Sequence, residues 1–194
     1  GAFATPEWGT TKASENYERR FKLTFPNETL PKGRLQATTA LFDRLTARGA
    51  VMGDAFGLEN VLWFAGGPDD AFEEPTFKRS RAHDYVAAEV AAVRSAVGAV
   101  EIANFAKHQF TGPGALEFLN HVLAGRIPKP GRLNLTPMLT PKGKLYGDLT
   151  VACLDEESFL VIGSGPAQEM HRRWFEAHLP ESGVHYRNRS DELH

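Results

Sequence analysis

The sequence predicts an α+β fold: an antiparallel sheet made of hairpins, with helices packed on it. Three observations carry that prediction. Residues 135–166, "LTPMLTPKGKLYGDLTVACLDEESFLVIGSGP", read as three strands and the start of a helix, with turn residues at the joints. Segments of helical periodicity flank this stretch, yet hairpins dominate the second half, which favours α+β over a doubly wound parallel sheet. The chain has 194 residues, 42% of them hydrophobic, enough for one sizeable core or a core with an appendage.

Taken in order, residues 1–36 are rich in proline, glycine and charge, with one possible short strand at residues 20–25. The chain opens at Gly1 without a methionine, as an excised or trimmed piece would. Thr38 or Thr39 can cap a helix whose apolar positions Leu41, Phe42 and Leu45 repeat at helical spacing, with Gly49 as its stop. Gly53 and Gly57 mark turns. The run "GGPDDAFEEP" at residues 66–75 reads as a linker, so two segments are expected: 1–75 and 76–194.

Beyond it, Tyr85, Val86, Val90, Val93 and Val97 mark an amphipathic helix, and "EIANFAKHQFTG" one or two short strands. "TGPGALEFLNHVLAG" reads as a helix with Leu116, Leu119, Val122 and Leu123 on one side. A last helix is expected at residues 167–179, with Pro166 in the favoured first turn.

Within the hairpin, Pro141-Lys142-Gly143 fits a three-residue loop that pairs Thr140 with Lys144. Continued in step, Leu139 faces Leu145, Pro137 faces Gly147 and Leu135 faces Leu149. Asn134, Thr136, Tyr146, Asp148 and Thr150 then form a polar face with Asp148 at its centre. Aspartate is depleted in strands because it competes with the backbone for hydrogen bonds. That face is therefore either a solvated surface or the lining of a pocket with one acceptor and flanking hydroxyls.

A net charge of −2 and a pI near 6.4 argue against a nucleic-acid or anionic-membrane partner. No apolar run reaches the roughly 18 residues of a membrane span. Cys153 is the only cysteine, so intrachain disulfides are excluded and a reducing, cytoplasmic setting is expected. It alternates onto the apolar face as a small core residue. His171 and His178 share a helix face two turns apart, too far to chelate one metal, and no metal site is expected. Gly163-x-Gly165 after a strand imitates a dinucleotide turn, but Gln168 stands where the third glycine is needed.

"GKLYGDLTVACLDEESFLVIGSG" resembles the segment of the glycine cleavage T-protein (aminomethyltransferase) family usually built as G-G-x-x-x-D-hydrophobic. "VRSAVGAVEIANFAKHQFTGPGALEFLNHVLAG" is similar to that family's earlier segment. "FPNETLPKGRLQATTALFDRLTARGAVMGDAFGLENVLWFAGG" resembles the connector that precedes the T-protein-like half of flavin-dependent dimethylglycine and sarcosine dehydrogenases. The resemblance covers about residues 20 to 194.

It implies the first part of a T-protein-like tetrahydrofolate-binding domain, following a connector and an FAD domain outside this sequence. In such enzymes flavin oxidises an N-methyl amine to an iminium, and tetrahydrofolate captures the one-carbon unit as methylene-tetrahydrofolate. Asp148 is the implied catalytic carboxylate, orienting the folate amine, stabilising positive charge and relaying a proton. Tyr146 and Thr150 are the expected cofactor-binding neighbours. N-methyl amine and folate are the expected small-molecule partners. This chain alone is expected to be inactive and to bind folate weakly. Gly163 stands where free-standing T-proteins often carry asparagine. Two alternatives stay open: a flavin-independent folate-dependent demethylase, and a T-protein-like interaction module that no longer binds folate.

Overall fold

In the computed structural model, residues 5–26, 28–55 and 57–193 are described. The chain forms two compact units, Gly1–Glu101 and Ile102–His194. The division lies well downstream of the 66–75 run that composition suggested.

The first unit opens with a helix the sequence reading missed, α1 (Pro6–Arg19). Its start follows from local chemistry: the Trp8 N–H donates to Thr5 Oγ1 at 3.1 Å, and Pro6 occupies the first turn, where an amide hydrogen is not needed. The strand expected at residues 20–25 is not formed, and that stretch has no sheet partner. A short helix α2 (Phe42–Ala47) leads into an antiparallel pair, β1 (Ala50–Ala55) and β2 (Leu58–Phe64). On that pair sits buried Glu59, which accepts from Arg34 through both carboxylate oxygens and from the Leu35 N–H at 3.0 Å. Leu35 has a positive φ of 60°, and this bond to Glu59 holds it there.

Helix α3 (Ala82–Ser95) follows, two to three residues earlier than the valine spacing suggested. Tyr85 stacks on Trp63 of β2 at 5.2 Å between ring centroids, and its hydroxyl donates to Asp70 at 2.7 Å. The Trp63 indole N–H donates to Glu73 at 2.6 Å. These contacts tie residues 70–85 to the hairpin upstream, which is why the compact unit runs past the glycine- and acid-rich loop.

The second unit is a five-stranded, wholly antiparallel sheet with two helices. Its elements are β3 (Ala106–Thr111), α4 (Ala115–Val122), β4 (Arg132–Leu139), β5 (Leu145–Asp155), β6 (Ser158–Gly163), α5 (Gln168–His178) and β7 (His185–Asn188). The strand order is β4-β5-β6-β3-β7. Strand alternation gives the sheet an inner face of Phe110, Met138, Leu149, Val151, Cys153, Phe159 and Val161. Against it pack Phe118, Leu119 and Val122 of α4, and Phe175 of α5. Phe118 takes the inward place expected of Leu116, which is exposed. Cys153 is buried in this core, as expected of it. At the border of the sheet, the Pro137 carbonyl of β4 accepts the Ala124 N–H at 2.8 Å.

The hairpin turn forms as expected. Thr140 N–H donates to the Lys144 carbonyl at 2.8 Å, and Leu139 faces Leu145. Beyond that pair the register slips by one. Tyr146 is an extra, bulged residue, so Met138 faces Gly147, Pro137 faces Asp148, Thr136 faces Leu149 and Leu135 faces Thr150. The strict alternation expected from the turn therefore assigns β4 to the wrong faces. Thr136 is buried in the core, and Leu135 stands on the outer face with Asp148 and Thr150.

Candidate functional site

A cavity of about 350 Å³ opens on the outer face of this sheet. Thr150 of β5 lies between two apolar neighbours, Leu135 on β4 and Ile162 on β6, which pair with it from either side. Asp148, two residues earlier, shares the face and lines the cavity next to Thr150.

The remaining walls come from the segment before β3 (Asn104 and Phe105) and the turn after β6 (Gly163 to Pro166). These two segments meet at Gly165, where an added Cβ would fall 2.0 Å from the Asn104 carbonyl oxygen. Only glycine permits that approach.

The cavity thus combines apolar walls with one carboxylate, Asp148, and the polar side chains of Thr150, Ser164 and Asn104. Asp148 is exposed, and its carboxylate takes no hydrogen bond from any other described residue. Its acceptor sites are free for a ligand's N–H groups. A planar heteroaromatic amine fits this chemistry: Phe105, Leu135 and Ile162 offer surface to its rings, and Asp148 and Thr150 offer partners to its polar edge.

The structure brings Asp148 and Thr150 together and turns Tyr146 away. The bulge sends the Tyr146 ring to the inner side, 4.8 Å from the Trp174 ring of α5. Tyr146 is therefore a packing residue of the helix face and no neighbour of the pocket. Asn104, Phe105, Leu135 and Ile162 are lining residues that the sequence reading did not single out. Ile162 was findable by alternation from Thr150. Asn104 and Phe105 reach the pocket through tertiary placement alone.

Directly behind the pocket, the inner face carries an unusual cluster. His171 of α5 and His108 of β3 are both fully buried, with ring centroids 6.1 Å apart. His108 Nδ1 lies 2.9 Å from the Tyr186 hydroxyl of β7. Burial, and then the neighbouring His171, pull the His108 pKa down to about 4, with Glu169 opposing. Burial likewise lowers His171 and raises the Tyr186 phenol. His178 does not join His171. It lies at the end of α5, its ring nitrogen 2.8 Å from the Trp174 carbonyl.

An antiparallel α+β unit presenting a strand carboxylate to an apolar pocket places this chain within a recognisable class. Residues 41–194 match the family model described as the GCVT N-terminal domain, and the chain belongs to that family. Along its whole length it is 32% identical to mitochondrial dimethylglycine dehydrogenase of Homo sapiens, aligned over 197 residues and covering 22% of that protein. It is 31% identical over 98 residues to the aminomethyltransferase of Chlorobium luteolum, covering 50% of this chain and 27% of that one. The crystal structure of glycine cleavage system aminomethyltransferase T from Bartonella henselae matches with a TM-score of 0.58. That match covers 78% of this chain and 37% of that one, and at 18% identity it speaks for the fold. The chain therefore spans about a fifth of the length of the dehydrogenases it matches. Among the described residues, no helix is long and apolar enough to cross a membrane.

Proposed function

We propose that this chain is the tetrahydrofolate-binding, aminomethyltransferase-like portion of an FAD-dependent N-methyl amine dehydrogenase of the dimethylglycine or sarcosine type. The observation that carries this reading is the pairing of Asp148 and Thr150 inside an apolar-walled cavity, in a GCVT-family chain that aligns from end to end with dimethylglycine dehydrogenase.

The residues present suit the pterin end of a reduced folate. Phe105, Leu135 and Ile162 offer ring-sized apolar surface, and Asp148 offers an unshared acceptor for ring N–H groups. When bound, tetrahydrofolate supplies the nitrogen that accepts a one-carbon unit. Asp148 orients that nitrogen by accepting a hydrogen bond. It balances the positive charge of an arriving iminium, and it holds a proton when nitrogen gives one up. Thr150, one step along the same face, would offer its hydroxyl as a second polar partner beside Asp148. The apolar residues exclude water from one side, which strengthens the carboxylate's electrostatic effect.

No described residue set suits FAD: the turn after β6 lacks the third glycine of a dinucleotide fingerprint. The flavin half of the proposal rests on the relatives alone.

The test is a titration of this chain with 5-formyltetrahydrofolate followed by amide NMR. The pocket is open on one side, so the expected affinity is weak, near the millimolar limit of about 4 kcal/mol. Saturable shifts at Phe105, Asp148, Thr150 and Ile162, lost in Asp148→Asn, support the proposal. Shifts elsewhere, or shifts indifferent to Asp148→Asn, overturn it.

A further inference from the structure

Four residues stand in one row across the outer face of the sheet, each paired with the next: Leu135 of β4, Thr150 of β5, Ile162 of β6 and Lys107 of β3. The first three line the pocket. Lys107, the fourth, is only 3% exposed, although a lysine on such a face ordinarily reaches water. Its side chain turns back instead to the segment that precedes β3. The ammonium donates to the Ile102 carbonyl at 2.8 Å and to the Ala103 carbonyl at 2.9 Å.

That segment supplies a wall of the pocket. Residues 102–105 form a turn outside the sheet, closed by the Phe105 N–H on the Ile102 carbonyl at 3.1 Å. Asn104 and Phe105, its last two residues, line the cavity, and Phe105 is 44% exposed. Carbonyls outside a strand ladder need partners of their own, and bonds from an ammonium are the stronger kind. Burying that ammonium is costly, and these bonds offset the cost. Lys107 is itself anchored. Its N–H donates to Ser190 Oγ at 2.9 Å, and its carbonyl accepts the Arg189 N–H at 2.8 Å. The turn is thus held by a cation on a fixed strand, while Gly165 packs against the Asn104 carbonyl.

We propose that Lys107 is a positioning residue for the pocket: its ammonium staples the Ile102 and Ala103 carbonyls to β3 and so holds Asn104 and Phe105 in the wall that a ligand's rings would meet. The purpose of the staple rests on the folate reading above, whereas its existence rests on the hydrogen bonds.

Three variants separate a staple from mere filling. Lys107→Met keeps the apolar stem and removes the donors. Lys107→Arg keeps a cationic donor of similar reach. Cys153→Ala loosens the core on the opposite face of the sheet. The readouts are backbone order parameters from amide NMR and titration with 5-formyltetrahydrofolate. Lys107→Met is expected to lower the order parameters of Asn104 and Phe105 from the rigid range of about 0.85 to below about 0.6, with Val161 of β6 unchanged. Folate binding should weaken by roughly tenfold, since a wall that must first be ordered costs affinity. Lys107→Arg should restore most of both, and Cys153→Ala should alter neither. In the unmodified chain, the Lys107 ammonium should give a nitrogen-correlated signal with slowed proton exchange. That measurement decides the matter even if no Lys107 variant folds.

An ammonium that exchanges and averages like a surface lysine overturns the staple. So do order parameters at Asn104 and Phe105 that stay unchanged in Lys107→Met, or equal effects of Lys107→Met and Lys107→Arg, since filling alone then suffices. A mobile wall with undiminished folate binding overturns the positioning role. Absence of folate binding to the unmodified chain sinks the folate reading and that role with it, while the ammonium signal and the order parameters still decide the staple.

Discussion

Pro137 faces Asp148 across the β4–β5 pair, one step out of the register that the Leu139–Leu145 pair begins. That pairing puts an acid, a hydroxyl and exposed leucines on one face, with the buried Thr136 and Met138 on the other. The outer face is therefore a mixed surface, suited to a ligand with both ring faces and polar edges.

Asp148→Asn should separate function from stability. The carboxylate is exposed and holds no hydrogen bond to a described residue, so the unfolding free energy should change by no more than surface substitutions do, within about 0.5 kcal/mol. In a longer enzyme containing this chain, one-carbon transfer to folate should fall by roughly ten- to ten-thousand-fold. Amine-dependent flavin reduction should stay intact. Loss of both activities together would point away from a folate-side role.

Much of this was legible in the sequence. The hairpin turn, β5's alternation and the helices α4 and α5 follow from turn chemistry and periodicity, which are local. Asp148 and Thr150 were placed on a common face because β5 alone fixes that. Tyr146 and β4 went astray together, since a bulge is a tertiary decision: burying Met138 and Leu149 on one side outweighs an unbroken ladder. Phe105 and Asn104 could not be found by period at all. Their place comes from the close approach of two loops at Gly165.

The Arg34–Glu59 pair should behave as a buried ion pair. Burial alone would push the Glu59 carboxyl up, but the Arg34 guanidinium and the Leu35 N–H win and hold it below the usual carboxylate range. Arg34→Met leaves that carboxylate buried with no cation, at a cost of about 3 kcal/mol, the low end for a buried pair because Arg34 is partly exposed. For a unit of this size the midpoint should drop by roughly 10–15 °C. A drop of under about 2 °C in calorimetry would show the pair to be dispensable.

Acid should loosen the second unit through His108. Its folded-state pKa of about 4 lies below the ordinary 6.5, so the unfolded chain binds the extra proton. The stability from keeping this ring neutral is whole above pH 6.5. It is lost as pH falls through 4, to a total on the order of 3 kcal/mol. Around the ring, the Tyr186 hydroxyl, His171 and Glu169 are the groups that set this balance. His108→Gln can keep the partner at Tyr186 and removes the titration, so its denaturation midpoint between pH 4 and 6.5 should fall less steeply. Parallel curves for both proteins would assign the acid sensitivity elsewhere.

Limited proteolysis should cut first within residues 96–101. That stretch has no helix or strand, and Val97 and Val100 are each 85% exposed. The 66–75 loop is held by Asp70 to Tyr85 and Arg81, and by Glu73 to Trp63. It should be nicked later. Mass spectrometry of early fragments distinguishes the two, and a first cut inside 66–75 would restore the boundary that composition suggests.

Pro137 has a second consequence, for how this molecule lives in a crowd. β4 borders the sheet, and its outward side carries Leu133 and Leu135 at 67% and 64% exposure. A bare border of that kind invites another chain to zip on as the next strand. Two residues before its end, however, Pro137 has no amide hydrogen to give, and its carbonyl is already taken by Ala124. A recruit would meet a gap in the seam there, with no donor and no free acceptor. The same residue that stands across from the carboxylate thus makes the sheet a poor seed for polymerisation, and lets it keep greasy side chains in the open for a ligand.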